Sequence, residues 1–125
     1  MNGQQSEQKS ARALSKYVRI SPRKARLVVG MIRGVRVPEA VFRLSQSGTK
    51  SGRLLMLTLM SAVSNAESKF LVPRQDLVVL RATVDEGPRL KRARGRSRGG
   101  KTPILKRMSH LTVVVGCASS LQEGI

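Results

Sequence analysis

Gly95-Arg96-Ser97-Arg98-Gly99-Gly100-Lys101-Thr102 spells GxxxxGK[ST], the pattern of a loop that cradles nucleotide phosphates. That chemistry needs a buried strand before the loop and a helix after it, so that amides at the helix start face the phosphates. Here an arginine run precedes the pattern and Pro103 follows at once. Gly- and Lys-rich segments produce such matches readily, so this one is expected to be accidental. Asp85 and Glu86 offer carboxylates, but adjacent strand residues point to opposite faces and do not converge. Pairing with nearby Arg at the base of a hairpin is the expected role. His110, the only histidine, has no nucleophile motif beside it and is expected to pack or hydrogen-bond at a strand start. Cys117 stands alone, which excludes an internal disulfide and a multi-Cys zinc site. No catalytic residue, metal site or cofactor is expected.

The chemistry this chain does carry is cationic. Residues 89–107 hold nine Lys or Arg and no Asp or Glu: Arg89, Lys91, Arg92, Arg94, Arg96, Arg98, Lys101, Lys106 and Arg107. The run lies between two strand-like segments, so it is an arm tethered at both ends. Like-charge repulsion keeps such an arm extended until a polyanion neutralises it. Arg outnumbers Lys, and its planar fork suits phosphates and folded RNA. Gly95, Gly99 and Gly100 permit a tight reversal and close backbone approach. A second cluster, Lys16, Arg19, Arg23, Lys24 and Arg26, places five cations in eleven residues with no acid among them. It sits where a strand meets a helix start, whose dipole adds positive potential.

These clusters need a body to hold them. Lys16 to Ile20 reads as a short strand with Val18 and Ile20 inward. Ser21-Pro22 opens a helix, with Ser able to cap it and Pro tolerated in the first turn. Its expected stripe is Leu27, Val28, Met31 and Ile32, and Gly34 ends it. Pro38 opens a second, short helix with Ala40, Val41 and Leu44 inward, broken at Ser47-Gly48. A third runs from about Lys50 to Glu67 or Ser68, with apolar positions around most of its circumference, and reads as a central buried helix. Leu77 to Val84 and Leu111 to Val115 read as strands. The helices are grouped between strands, which argues for an α+β fold: a small antiparallel three-stranded sheet, three helices packed on one face, and a long extended β-hairpin arm. The expected organisation is a disordered tail over 1–10, one globular domain from 11–84 with 111–116, the arm over 85–110, and a tail over 117–125. Two arms of ~13 residues at ~3.3 Å each would reach about 40 Å. With almost no apolar face, the ribbon is expected to order only when bound.

Bulk composition narrows the partner. The 125 residues carry 24 basic and 7 acidic side chains, a net charge of +17. One domain is the prior, and an anionic partner is expected to stabilise it. Aromatics are 2% of the chain, so reading a single strand by serial stacking is poorly supported and phosphate contact with shape readout is favoured. The longest mostly apolar stretch, Leu54 to Val63, is about half of the ~20 residues a spanning helix needs. No secretory signal is read at the N-terminus. Composition alone leaves RNA and DNA open. An architectural DNA-binding protein with a basic β-arm is the rival, with Pro103 and Ile104 able to serve as a wedge.

The motifs YVRISPRKARLVVGMIRG, SAVSNAES, VDEGPRLKR and ILKRMSHLTVVVG, in this order, resemble the large-subunit ribosomal protein L twenty-two family, whose long hairpin lines the peptide exit tunnel. The resemblance covers residues 12–116. It implies binding to 23S-type ribosomal RNA and a globular part near the tunnel exit. The hairpin over 85–110 would enter the subunit, its tip at about Arg94 to Lys101 near the tunnel constriction. It further implies RNA contacts at Ser21-Pro22-Arg23-Lys24, Lys91-Arg92 and Lys106-Arg107. The implied partners are large-subunit RNA, neighbouring large-subunit proteins and the nascent polypeptide. The implied state is a monomer within the ribosome, cytoplasmic in a bacterium or inside an organelle, without membrane contact. The family is not enzymatic. It assists assembly, and its tip influences nascent-chain passage and macrolide sensitivity.

Overall fold

The structure, a computed structural model, describes residues 10–95, 99 and 101–117. The expected tails lie outside these residues, except that Ser10 opens a strand and Cys117 closes one. In chain order the elements are β1 (Ser10–Val18), α1 (Pro22–Val29), α2 (Val37–Ser47), α3 (Lys50–Phe70), a 3-10 turn (Arg74–Asp76), β2 (Leu77–Gly95) and β3 (Lys101–Cys117). The sheet is antiparallel with order β1-β3-β2. The fold is the α+β arrangement expected from the sequence.

The first strand starts well before Lys16. Ser10 pairs with Gly116 and the ladder runs to Ser15 opposite Leu111. Its inward residues are small (Ala11 buried, Ala13 and Ser15 half-buried), while Arg12, Leu14 and Lys16 face outward. An edge strand with so small an inward face carries a weak apolar signal. Besides the ladder to β3, side chains hold it. Ser15 Oγ and Thr58 Oγ1 lie 2.8 Å apart, and Asn65 Nδ2 donates to the Arg12 carbonyl at 3.0 Å. Val18 is half-buried at the strand end, and Ile20 is buried in the turn beyond it.

The stripe of α1 also differs from expectation. Ala25, Val28 and Val29 are buried, with Ile32 in the turn that follows, whereas Leu27 is 74% exposed and Met31 36%. Helical geometry puts Ala25, Val28, Val29 and Ile32 on one side at i, i+3, i+4 and i+7. Small size makes Ala25 easy to overlook, but it lets the helix sit close to the sheet. Gly34 adopts φ +73 and donates its N–H to the Val79 carbonyl at 2.9 Å, and Val79 N–H returns a bond to the Val35 carbonyl at 2.9 Å. This stitches the α1–α2 connection to β2.

Helix α2 buries Val37, Ala40 and Leu44 and ends at Gly48 in the left-handed region. Thr49 caps α3 by accepting from the Gly52 N–H at 3.0 Å. Against expectation α3 is not buried all round. Leu55, Thr58, Leu59, Ala62, Val63 and Ala66 are buried, and Leu57 is 66% exposed. Its buried hydroxyl at Thr58 is satisfied by Ser15 and by the Leu54 carbonyl at 3.2 Å.

Alternation along β3 places Leu111, Val113 and Val115 in the core. On β2 the register shifts between Val79 and Arg81, so Leu77 and Val79 before the bulge and Ala82 and Val84 after it all face inward. Beyond Val84 the two strands continue together, with one further bulge between Glu86 and Arg89, and stay paired out to Gly95 opposite Lys101. The arm is therefore a direct extension of β2 and β3. None of the described helices is long and apolar enough to cross a membrane.

Candidate nucleic-acid interface

The two basic clusters meet at the base of the arm. Between β1 and α1 the chain turns through Arg19 to Ser21, and the buried Ser109 Oγ donates to the Ile20 carbonyl at 2.7 Å. This bond clamps the turn to β3 where the ribbon leaves the sheet. Pro22 and Ala25 face inward, so Arg23, Lys24 and Arg26 project outward, all exposed. Arg26 Nη2 reaches the Val84 carbonyl at 3.2 Å, which fixes the polar face of α1 beside the emerging β2. A small cleft results, lined by Pro22, Arg23, Arg26, Glu86, Gly87, Arg89, Arg107 and Met108. Four arginines from three elements thus line one solvent-open depression.

Their freedom is unequal. Arg89 Nη2 lies 3.6 Å from Glu86 Oε1, a half-exposed pair of the kind worth little in water. Arg26 has committed one N–H to a carbonyl. Arg23 and Arg107 make no ion pair among the described residues. A second depression, an open groove of about 600 Å³, adjoins the β1–α1 turn. Ile20, Leu27 and Val28 line it with Arg19, Lys24 and Lys50. Lys50 is a cation that the linear sequence did not single out. It stands alone at a helix start, and only packing of α3 against α1 brings it beside Arg19 and Lys24.

The remaining predicted positions fall as follows. Lys16, Lys106 and Arg107 are exposed. Lys91 and Arg92 lie on β2 opposite Leu105 and Ile104, and Arg94 lies opposite Thr102. Gly99 adopts φ +80, in the left-handed region that glycine favours. Arg96, Arg98 and Gly100 lie outside the described residues. The strand β3 begins at Lys101, so the Gly-Lys-Thr end of the pattern opens a strand where a nucleotide-phosphate loop needs a helix start. Glu86 makes the expected pairing with an arm-base Arg, and Asp85 is exposed opposite His110. His110 accepts the Tyr17 N–H at Nδ1, 3.1 Å away. Cys117 is half-buried and unbonded at the end of β3. Among the described residues no three His, Cys, Asp or Glu side chains gather into a metal-binding group.

The family model described as ribosomal protein L22p/L17e matches residues 13–116, most of the chain and both arms of the ribbon. The chain belongs to this family. Similar family members include the large ribosomal subunit protein uL22 of Protochlamydia amoebophila, 56% identical over 105 residues, which cover 84% of this chain and 95% of that protein. The uL22 proteins of Chlamydia abortus and Chlamydia trachomatis serovar L2 are 52% and 51% identical over the same shares of each chain. The family model takes in β1 from Ala13 onward, the cleft and the paired arm together.

Proposed function

We propose that this family member is a structural constituent of the large ribosomal subunit that binds 23S-type ribosomal RNA, aids subunit assembly, and lines the peptide exit tunnel with its hairpin tip. One observation carries the RNA reading: Arg23, Arg26, Arg89 and Arg107, distant in sequence, line a single cleft at the arm base. Ionic neutralisation of phosphates is the mechanism. The cleft and the β1–α1 turn take phosphates of one RNA segment, and the arm, with Lys91, Arg92 and Lys106, tracks another. The α+β body fixes the distance between them, so the protein recognises an arrangement of backbones. The tip, Arg94 to Lys101, faces the nascent polypeptide, and neighbouring large-subunit proteins flank the body of the single copy. The setting is the cytoplasmic ribosome of a bacterium, in line with the chlamydial relatives. This role needs no catalytic group and no cofactor.

The architectural DNA reading calls for an apolar or proline wedge at the arm tip. Pro103 and Ile104 instead stand within the ladder, opposite Ala93 and Arg92, which favours RNA. The test is sedimentation of the tagged protein from a lysate of its own cells through a sucrose gradient after a high-salt wash. Retention with the large subunit at near-unit stoichiometry is expected. Release into the free fraction, or co-migration with DNA, overturns the reading.

A further inference from the structure

Tyr17 is the only tyrosine, and there is no tryptophan. It stands in the left-handed region at φ 58, one of two non-glycine residues with positive φ among those described. A bulky side chain rarely adopts that conformation, and its persistence at a surface marks a position the surroundings over-determine. The constraint is visible. The register of β1 breaks between Ser15 and Val18. The Tyr17 N–H turns inward to His110 Nδ1 at 3.1 Å, and the ring turns outward. The His110 ring meets the Tyr17 ring edge to face, with centroids 5.0 Å apart and planes at 88°. His110 in turn has room because Gly87 lies behind it; a Cβ there would come within 3.2 Å of His110 Cε1. Despite this bracing Tyr17 remains 59% exposed. It is an aromatic ring fixed in direction, open to solvent, and flanked by the exposed cations Lys16 and Arg19.

We infer that Tyr17 is a stacking platform for one unstacked base of the ribosomal RNA, with Lys16 and Arg19 taking the phosphates on either side of it. The inference rests on the RNA reading above and adds a base contact to it. A base presents a π-face whatever its identity, so a braced, exposed ring gains from stacking without sequence readout. One ring cannot read a strand, but it can pin a single bulged or looped nucleotide. The bulge and the His110 contact act through the backbone and ring edge of Tyr17, so His110 and Gly87 are positioning residues.

The test is filter binding to in-vitro-transcribed bacterial large-subunit RNA by the intact chain and two variants, with thermal melts as a fold control. Tyr17→Phe, which keeps the ring, is expected to bind within about twofold of the parent. Tyr17→Leu, which keeps apolar bulk but no ring, is expected to weaken binding by about 5- to 150-fold, the range for loss of one stacked base, with an unchanged salt slope. Irradiation of the parent complex at 254 nm is expected to give a base adduct on Tyr17. Parent-like binding by Tyr17→Leu, equal weakening of both variants, or adducts elsewhere without one at Tyr17 overturns the inference and leaves the RNA reading intact. Failure of the parent itself to bind this RNA removes the RNA reading and the inference with it.

Discussion

Neutralising Arg23 and Arg107 together should alter the salt dependence of RNA binding by a calculable amount. These two line the arm-base cleft and are committed to no ion pair among the described residues, whereas Arg89 is shared with Glu86 and Arg26 with the Val84 carbonyl. Each phosphate neutralised contributes roughly 0.7–0.9 to the slope of log affinity against log salt. Losing two contacts in R23Q/R107Q therefore lowers the slope by about 1.4–1.8. Over a fourfold rise in salt, from about 50 to about 200 mM, the advantage of the parent over the variant shrinks by about tenfold. E86Q works in the opposite direction. It releases Arg89 from its carboxylate and should raise the slope by roughly 0.7–0.9. Filter-binding titrations of the large-subunit RNA at several KCl concentrations measure all three, and circular dichroism establishes that the variants are folded. A parental slope in folded R23Q/R107Q would refute the assignment of the cleft as a phosphate site. A slope that falls in E86Q would refute the claim that Glu86 competes with phosphate for Arg89.

Three further outcomes test the fold and the sequence reading. Leu111→Ala empties a fully buried position on the central strand and should cost about 2–5 kcal/mol in urea denaturation; a loss under about 1 kcal/mol would mean the site collapses around the gap. Gly34→Ala places a Cβ at φ +73 and should cost about 1–2 kcal/mol through backbone strain, read as a lowered melting temperature; an unchanged melt would show that the α1–α2 connection shifts freely. Addition of ATP or GTP should leave the melting temperature unmoved, since Lys101 opens a strand where a phosphate loop needs a helix start; a dose-dependent rise would restore the phosphate-loop reading.

Where the sequence was legible, backbone chemistry and apolar period agreed. Pro22, Pro38, Gly48 and Pro73 punctuate the helices close to their observed ends, and the β-branched runs at Leu77 and Leu111 mark the two long strands. It was least legible at β1, whose inward side chains are Ala11, Ala13 and Ser15. There the pairing comes from the neighbouring strand and from hydroxyl and amide bonds to α3, which local hydrophobicity does not register. Leu27 misled for the opposite reason. Its apolar side chain lies on the outward side of α1 and lines a surface groove, while the smaller Ala25 packs inward. The cationic clusters stood out in the sequence, but their meeting did not. It depends on the clamp from Ser109 to Ile20 and on the bulge after Glu86, both products of tertiary packing. Tyr17 gave no linear signal, since its braced ring exists only once β1 and β3 pair.

The order of strands across the sheet bears on how the protein is made. β1 and β2 do not pair with each other; each pairs with β3, which follows every other described element along the chain. During synthesis the two earlier strands and the apolar sides of the helices have no sheet to join until β3 has emerged. The cleft, the braced Tyr17 and the arm all await the same strand, because Arg107, His110 and one whole arm of the ribbon belong to it. Long-range pairing of this kind is slow and leaves apolar surface open in the interval. A nascent chain stalled before Lys101 should therefore be protease-sensitive and chaperone-bound, and the chain should gain its interface in a single late step rather than piece by piece.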